Sequence, residues 1–423
     1  MISTTFFGPV AQLVAHLHGM QGVRGSNPLR STLKTRASRQ RGALLISRAK
    51  RPERAPRGYG ERVIAQPRCP SCRHFVYLDA LQCHNCDAEL GFHLVTRQFY
   101  SLRRGQTVID DQIWYTCSNR GWECNWLVWE GAPAGRCFSC RLTRTRPDGS
   151  DTVALQKLAK TEESKRRLIL QLGDLGLPIV PWDVEPGGLG FDLLSSISLG
   201  RRVSIGHANG IISLDLAESL DDRREALRVR LGEPYRTMLG HLRHEVGHYF
   251  QNVLLTDDQM WAECRHLFGD ERASYQDSIQ RHYKFGAPEG WQDSFISEYA
   301  TMHPWEDFAE TFAHYLHITG TLQTAATIGI HLDSVVTNLR DTDVVPLDSY
   351  RDQPVAQLLN DWEWMSQAFN RINRAMGFGD LYPFVIAPPV RRKLAFMHDI
   401  VTHAPLTSVE QMVLALPRDS ETP

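Results

Sequence analysis

No stretch of about 18 consecutive apolar residues occurs in the chain, so the sequence offers no candidate for a membrane-spanning helix. Acidic residues are nearly missing from the first 66 positions, where two Glu stand against 12 Lys and Arg, a local charge of +10. The whole chain carries −1, which leaves −11 on the remainder. An acidic body of that size argues against nucleic acid as a partner. Cysteine is missing outside residues 69–140 except for Cys264, which reads as a small buried apolar residue. A secreted disulfide framework spaces its cysteines without close pairing, so the C-x-x-C pairs here point to metal and a reducing, cytoplasmic compartment. The apolar run in MISTTFFGPVAQLVAHLHGM lacks a basic residue before it and a small-residue cleavage site, which excludes a signal-peptide reading.

At 423 residues the chain exceeds one average domain. Residues 1–66 read as a disordered basic arm, poor in aromatics and without sustained periodicity. Within it, GPVAQLVAHLHGMQGVRGSNPLRST is similar to a translated tRNA reading frame, so the expectation is an over-extended start without function. Residues 67–150 and 151–423 are then the two folded regions.

The run RCPSCRHFVYLDALQCHNC sets Cys69 and Cys72 ten residues before Cys83 and Cys86. Each C-x-x-C forms a knuckle with two thiolates aimed at one ion, and the FVYL insert reads as a short strand that lets the knuckles face each other. A second quartet follows in Cys117, Cys124, Cys137 and Cys140, with a looser first pair. Both quartets are closed by four thiolates, so the expected zinc is structural. Trp114, Trp122, Trp126 and Trp129 are expected to form the small core beside them. His74, His84 and His93 lack a coordination position and read as surface or supporting groups.

The stretch GHLRHEVGHYFQNVL carries His244 and His248 four residues apart, one helical turn, so both rings emerge on one face. Met238, Leu242, Val246, Tyr249, Phe250 and Val253 recur at helical spacing as its apolar stripe. Upstream, VSIGHANGIISLDL reads as two β runs joined at Asn209-Gly210, and DLAESLDDRREALRVRLG as a charged helix. Two imidazoles and one more protein ligand hold a zinc ion and leave a position for water, whose pKa falls to about 7. Glu245 sits about 100° around the helix, beside the ion without ligating it, and is the expected general base.

The third ligand is the deciding residue. A glycine three positions and a histidine six positions after His248 are both absent, because Gln251 and Leu254 stand there. An acidic ligand from a later helix remains. In HPWEDFAETFAHYLH, Pro304 opens a helix, and Glu306 and Glu310 fall one turn apart. Glu306, in the first turn, is the expected ligand. Glu310 is the rival, or the acceptor that orients a histidine. Tyr299, Tyr315 and His303 are candidates for oxyanion stabilisation.

The stretches CPSC and CHNC, CNWLV, CRLTRTRPD, GEPYRTMLGHLRHEVGHY, LFGDE, RHY, FISEYATMHPWEDFAETFAHYLH and YPFV span residues 69 to about 395. Together they resemble the bacterial zinc-binding metallopeptidase family that carries an N-terminal zinc-ribbon region. The resemblance implies an α+β fold: a mainly helical zincin-like catalytic domain of the gluzincin kind, preceded by a small β-rich zinc ribbon. It supports His244, His248 and Glu245 and places an acidic ligand within WEDFAE. The basic arm departs from that pattern. The expected cofactor is one catalytic and two structural zinc ions, and the expected partner is a peptide or protein substrate. The rival readings are a ribbon-and-zincin scaffold that binds without hydrolysis, and a nucleic-acid-associated factor.

Overall fold

Among the residues that the computed structural model describes (67–217, 237–337 and 342–415), the first seventy build small sheets. Strand β1 (Leu90–His93) pairs antiparallel with β2 (Gln98–Ser101), and β3 (Gln106–Ile109), β4 (Gln112–Thr116) and β5 (Leu127–Trp129) form an antiparallel meander. Trp126 packs with Phe92 in one core, while Trp114 joins Leu102, Ile109 and Leu127 in a second with Trp129 at its border. Trp122 departs from the expectation: it is 40% exposed and lies under the Arg146 guanidinium, 4.5 Å from its ring centre. The FVYL insert also departs from it. Phe75 makes a single bridge to Arg68, and the insert itself forms no strand.

A short helix α1 (Phe138–Arg141) and strand β6 (Thr143–Thr145) lead into α2 (Thr152–Asp174), whose first turn is capped by the Asp151 carboxylate. Strand β7 (Gly190–Leu194), helix α3 (Ser196–Leu199), β8 (Gly206–Ala208) and β9 (Ile211–Asp215) complete a mixed sheet of order β6-β7-β9-β8. Strands β8 and β9 are antiparallel, which leaves β8 at the edge. Their two-residue turn is Asn209-Gly210, with φ of 49° and 82°, the positive values that such a turn requires. Residues 1–66 and 218–236, which include the expected arm and most of the expected charged helix, lie outside the described residues.

The remaining helices are α4 (Met238–Leu254), α5 (Asp258–Phe268), α6 (Tyr275–Phe285), α7 (Pro304–Ile328), α8 (Ser334–Thr337), α9 (Val355–Ala375), α10 (Pro388–His403) and α11 (Val409–Leu414). No helix among the described residues is long and apolar enough to cross a membrane. The described residues belong to one compact unit, Gly60–Pro423, and the chain before it, Met1–Tyr59, lies outside them. This is the expected α+β fold, mainly helical beyond the cysteine-rich sheets.

Helices α4 and α7 set the geometry that matters. Gly247 makes their close approach possible, because a Cβ there would fall 2.8 Å from the Ala309 Cα. One turn on, Phe250 stacks on Phe312 with ring centres 5.4 Å apart, and Phe308 is fully buried nearby. Each buried ring contributes about 1.5–3 kcal/mol. Helix α2 closes the other side, where Gln171 accepts from Arg243 of α4 at 2.7 Å and donates to the Leu316 carbonyl of α7. Lys393 of α10 reaches Asp307 at 2.6 Å and the Ser294 carbonyl at 2.8 Å, a buried ion pair that pins the first turn of α7.

Candidate metal centre

Helix α4 starts where the Thr237 hydroxyl accepts from the Gly240 N–H, and its first two turns run straight into HEVGH. Helix α7 starts at His303, whose Nδ1 accepts the Trp305 N–H at 3.1 Å, with Pro304 as its first residue. The His303 Nε2 is taken up by the Ala273 carbonyl at 3.0 Å, just before α6. Both helix starts are therefore fixed by side chains. That brings His244, His248 and Glu306 together.

The His244 Nε2 lies 3.0 Å and the His248 Nε2 3.5 Å from the Glu306 Oε2. The three donors lie within 4.8 Å of one another, and all three side chains are buried. Ligands about 2.0–2.1 Å from a tetrahedral zinc sit roughly 3.4 Å apart, so the spacing fits the ion. Glu306 Oε2 is a buried atom without a hydrogen bond, which a cation would satisfy. Trp305 packs over the His248 ring with centres 3.9 Å apart and helps keep the site dry.

The rival carboxylate does something else. Glu310 Oε1 lies 2.7 Å from the His244 Nδ1, on the far side of the ring from Glu306, and its Oε2 accepts from the Ser297 hydroxyl at 2.6 Å. Glu245 is buried beside His244, with its Oε1 3.5 Å from the His241 Nε2. Burial opposes charge on His244, but Glu306 and Glu310 at its two nitrogens prevail and raise its pKa to about 10. Burial likewise opposes charge on both carboxylates. The histidines nonetheless hold Glu306 well below the usual range and Glu310 at about 2. The pocket therefore attracts positive charge.

Several neighbours were not legible from spacing. The Tyr275 hydroxyl donates to Glu306 Oε1 at 2.6 Å from the first residue of α6, and its pKa is pushed up by burial and by that carboxylate. His207 on edge strand β8 lies over His248 with ring centres 6.4 Å apart. It accepts the Gly210 N–H on Nε2, and burial together with His248 lowers its pKa to about 4. Of the oxyanion candidates, Tyr299 lies against His244 with ring centres 5.6 Å apart, but Tyr315 points its hydroxyl at His398, and His303 is spent on capping.

The two cysteine quartets are each gathered within 4.8 Å. Cys69 and Cys86, Cys72 and Cys83, and Cys124 and Cys137 each lie 3.6 Å apart, against about 3.8 Å for thiolates on a tetrahedral zinc. None of the cysteines forms a disulfide. Cys86 is exposed and Cys72 half-buried, whereas Cys117, Cys124, Cys137 and Cys140 are all buried. Arg166 of α2 lies at the buried quartet. It is 2% exposed and donates from Nη2 to the carbonyl of Glu123, next to Cys124. Burial works against its charge, yet the thiolates of Cys124, Cys137 and Cys140 raise its pKa. His74 and His84 are exposed, whereas His93 is buried, bonded to Thr96 and packed on Trp114.

A family described as "Putative zinc-binding metallo-peptidase" matches residues 154–400, and a zinc-ribbon domain matches residues 67–151. Uncharacterized proteins of Mycobacterium bovis and Mycobacterium tuberculosis are 42% identical over 342 residues, covering 79% of this chain and 94% of theirs. No solved structure matches the chain.

Proposed function

The chain belongs to the zinc-binding metallo-peptidase family, and from that premise we propose that it hydrolyses peptide bonds with one zinc ion held by His244, His248 and Glu306. The observation that carries this reading is the convergence of two imidazole Nε2 atoms on one buried carboxylate oxygen that has no hydrogen bond. Zinc bound there would supply Lewis acidity to the scissile carbonyl and acidify water.

The protein's own groups do the rest. Glu245 takes the proton of the attacking water as its oxygen bonds to the carbonyl carbon, and returns that proton to the amine as the C–N bond breaks. Glu310 and Ser297 fix the His244 ring, so that its Nε2 faces Glu306. Strand β8 lies at the sheet edge next to α4, and an extended peptide pairs there in this reading. The cysteine quartets hold two further zinc ions as structural elements, and the ribbon region recognises or positions a partner. The cysteine pairs, none of them joined in a disulfide, suit a reducing, cytoplasmic setting, and the acidic body disfavours nucleic acid as a partner.

Glu245→Gln tests the assignment. The variant is expected to keep the wild-type zinc content, three ions per chain by elemental analysis, and to lose the cleavages that proteome-wide profiling detects with the wild type. A variant that drops one zinc, or that still cleaves, refutes the general-base role.

A further inference from the structure

The two oxygens of Glu306 are not equivalent. Oε1 accepts the Tyr275 hydroxyl at 2.6 Å, whereas Oε2 has no hydrogen bond and faces both histidine Nε2 atoms. A carboxylate with two free oxygens can rotate or offer both to a cation. Here the hydroxyl holds one oxygen and thereby fixes which one is offered.

Tyr275 is itself held. It is the first residue of α6, capped by the Ser274 side chain, and the residue before that serine, Ala273, accepts from His303 at the start of α7. Its ring meets those of His303 and Trp305 edge-on, with centres 5.3 and 5.7 Å away. Trp305 in turn covers His248. The start of α6 is thus tied to the start of α7 by one backbone acceptor, two ring contacts and the hydroxyl. Glu306 is 2% exposed and Tyr275 36%, so the hydroxyl sits between the buried donor set and the rim.

We propose that Tyr275 is a positioning residue for the third metal site, selecting Oε2 of Glu306 as the single carboxylate donor. This rests on the reading that His244, His248 and Glu306 hold a metal ion. Hydrogen-bond partners of metal ligands contribute roughly 10–100-fold in metal affinity. Tyr275→Phe removes the hydroxyl and keeps the ring, hence the packing on His303 and Trp305.

The test is zinc competition against a graded series of chelators on the full chain, which separates the weakest-held ion from those in the cysteine quartets. Tyr275→Phe is expected to weaken the third ion about 10–100-fold and leave the two cysteine-held ions unchanged. Tyr275→His, a ring that still carries an N–H donor, is expected to recover part of that loss. Equal affinity in Tyr275→Phe and wild type overturns the proposal, as does an equal loss in both variants, which would show that a hydrogen-bond donor at this position does not set the affinity. A wild-type chain that binds no third ion overturns this proposal together with the peptidase reading. The wild-type stoichiometry therefore tells the two failures apart.

Discussion

Replacing Arg166 by Met puts the buried cysteine quartet to its hardest test. Four thiolates and one divalent ion sum to a charge of −2, and all four of these cysteines are buried. Arg166 is 2% exposed, and its Nε and Nη1 have no hydrogen-bond partner, so they have not been spent on protein acceptors. The neighbouring cation, Lys165, is already engaged by Glu162 at 2.9 Å and by the Thr143 hydroxyl. Arg166 therefore has its charge to set against that of the quartet, which in turn, despite burial, raises its pKa.

Methionine fills a similar volume without the charge, so packing is nearly conserved while the thiolates stay where they are. Removing one partner of a buried charge pair costs about 3–5 kcal/mol. At about 1.4 kcal/mol per decade, that corresponds to a loss of roughly two to three and a half decades in zinc affinity at this quartet. Metal binding and folding share free energy in such sites, so part of the loss is expected as a lower melting temperature. Chelator competition reads the affinity, and calorimetry reads the melting. Arg166→Lys restores the charge without the planar donor to the Glu123 carbonyl and is expected to lose less. If Arg166→Met keeps wild-type zinc affinity and melting, the charge-compensation argument is wrong.

Two further outcomes are expected. Glu310→Ala leaves His244 Nδ1 and the Ser297 hydroxyl without their acceptor, and should weaken the third zinc by about 10–100-fold, less than Glu306→Ala, which removes a donor. Metal titration of both variants decides this, and the reverse order would move the ligand one turn along α7. Gly247→Ala places a methyl group 2.8 Å from the Ala309 Cα, so α4 and α7 must separate. A cost of about 1–3 kcal/mol is expected in denaturant unfolding, together with a weaker third site, and an unchanged variant would show that the close approach is dispensable.

What the sequence revealed was what local spacing encodes. The knuckles of Cys69, Cys72, Cys83 and Cys86 need only a short insert to close. Asn209-Gly210 specifies its own turn, and a four-residue interval places His244 and His248 on one face whatever surrounds them. Glu306 and Glu310 were both visible for the same reason, one turn apart after Pro304. Their different contacts depend on how α7 lies against α4, and that depends on a glycine opposite an alanine. Tyr275, Ser297 and Arg166 meet their partners 31, 13 and 43 residues away through tertiary packing, and no periodicity relates them. Trp122 departs from the expected core because aromatic content alone does not separate a buried ring from an exposed one. Arg146 offers its ring a cation at the surface instead.

With zinc bound as proposed, the three sites follow one electrostatic rule applied at different depths. A four-thiolate site carries −2 wherever it sits. At the first quartet, exposed Cys86 and half-buried Cys72 leave that charge to solvent. The second is fully buried and has Arg166 against it. At the third, one zinc ion with two neutral imidazoles and the Glu306 carboxylate leaves +1, and the surplus is met by carboxylates. Glu310 touches the His244 ring, and Glu245 lies beside it. Burial of an uncompensated charge costs several kcal/mol, so the sign of each supporting residue is set by the ligand set it serves. The same balance suits the chemistry proposed for the third site, where buried Glu245, next to His244 in the chain, stands outside the donor set of His244, His248 and Glu306.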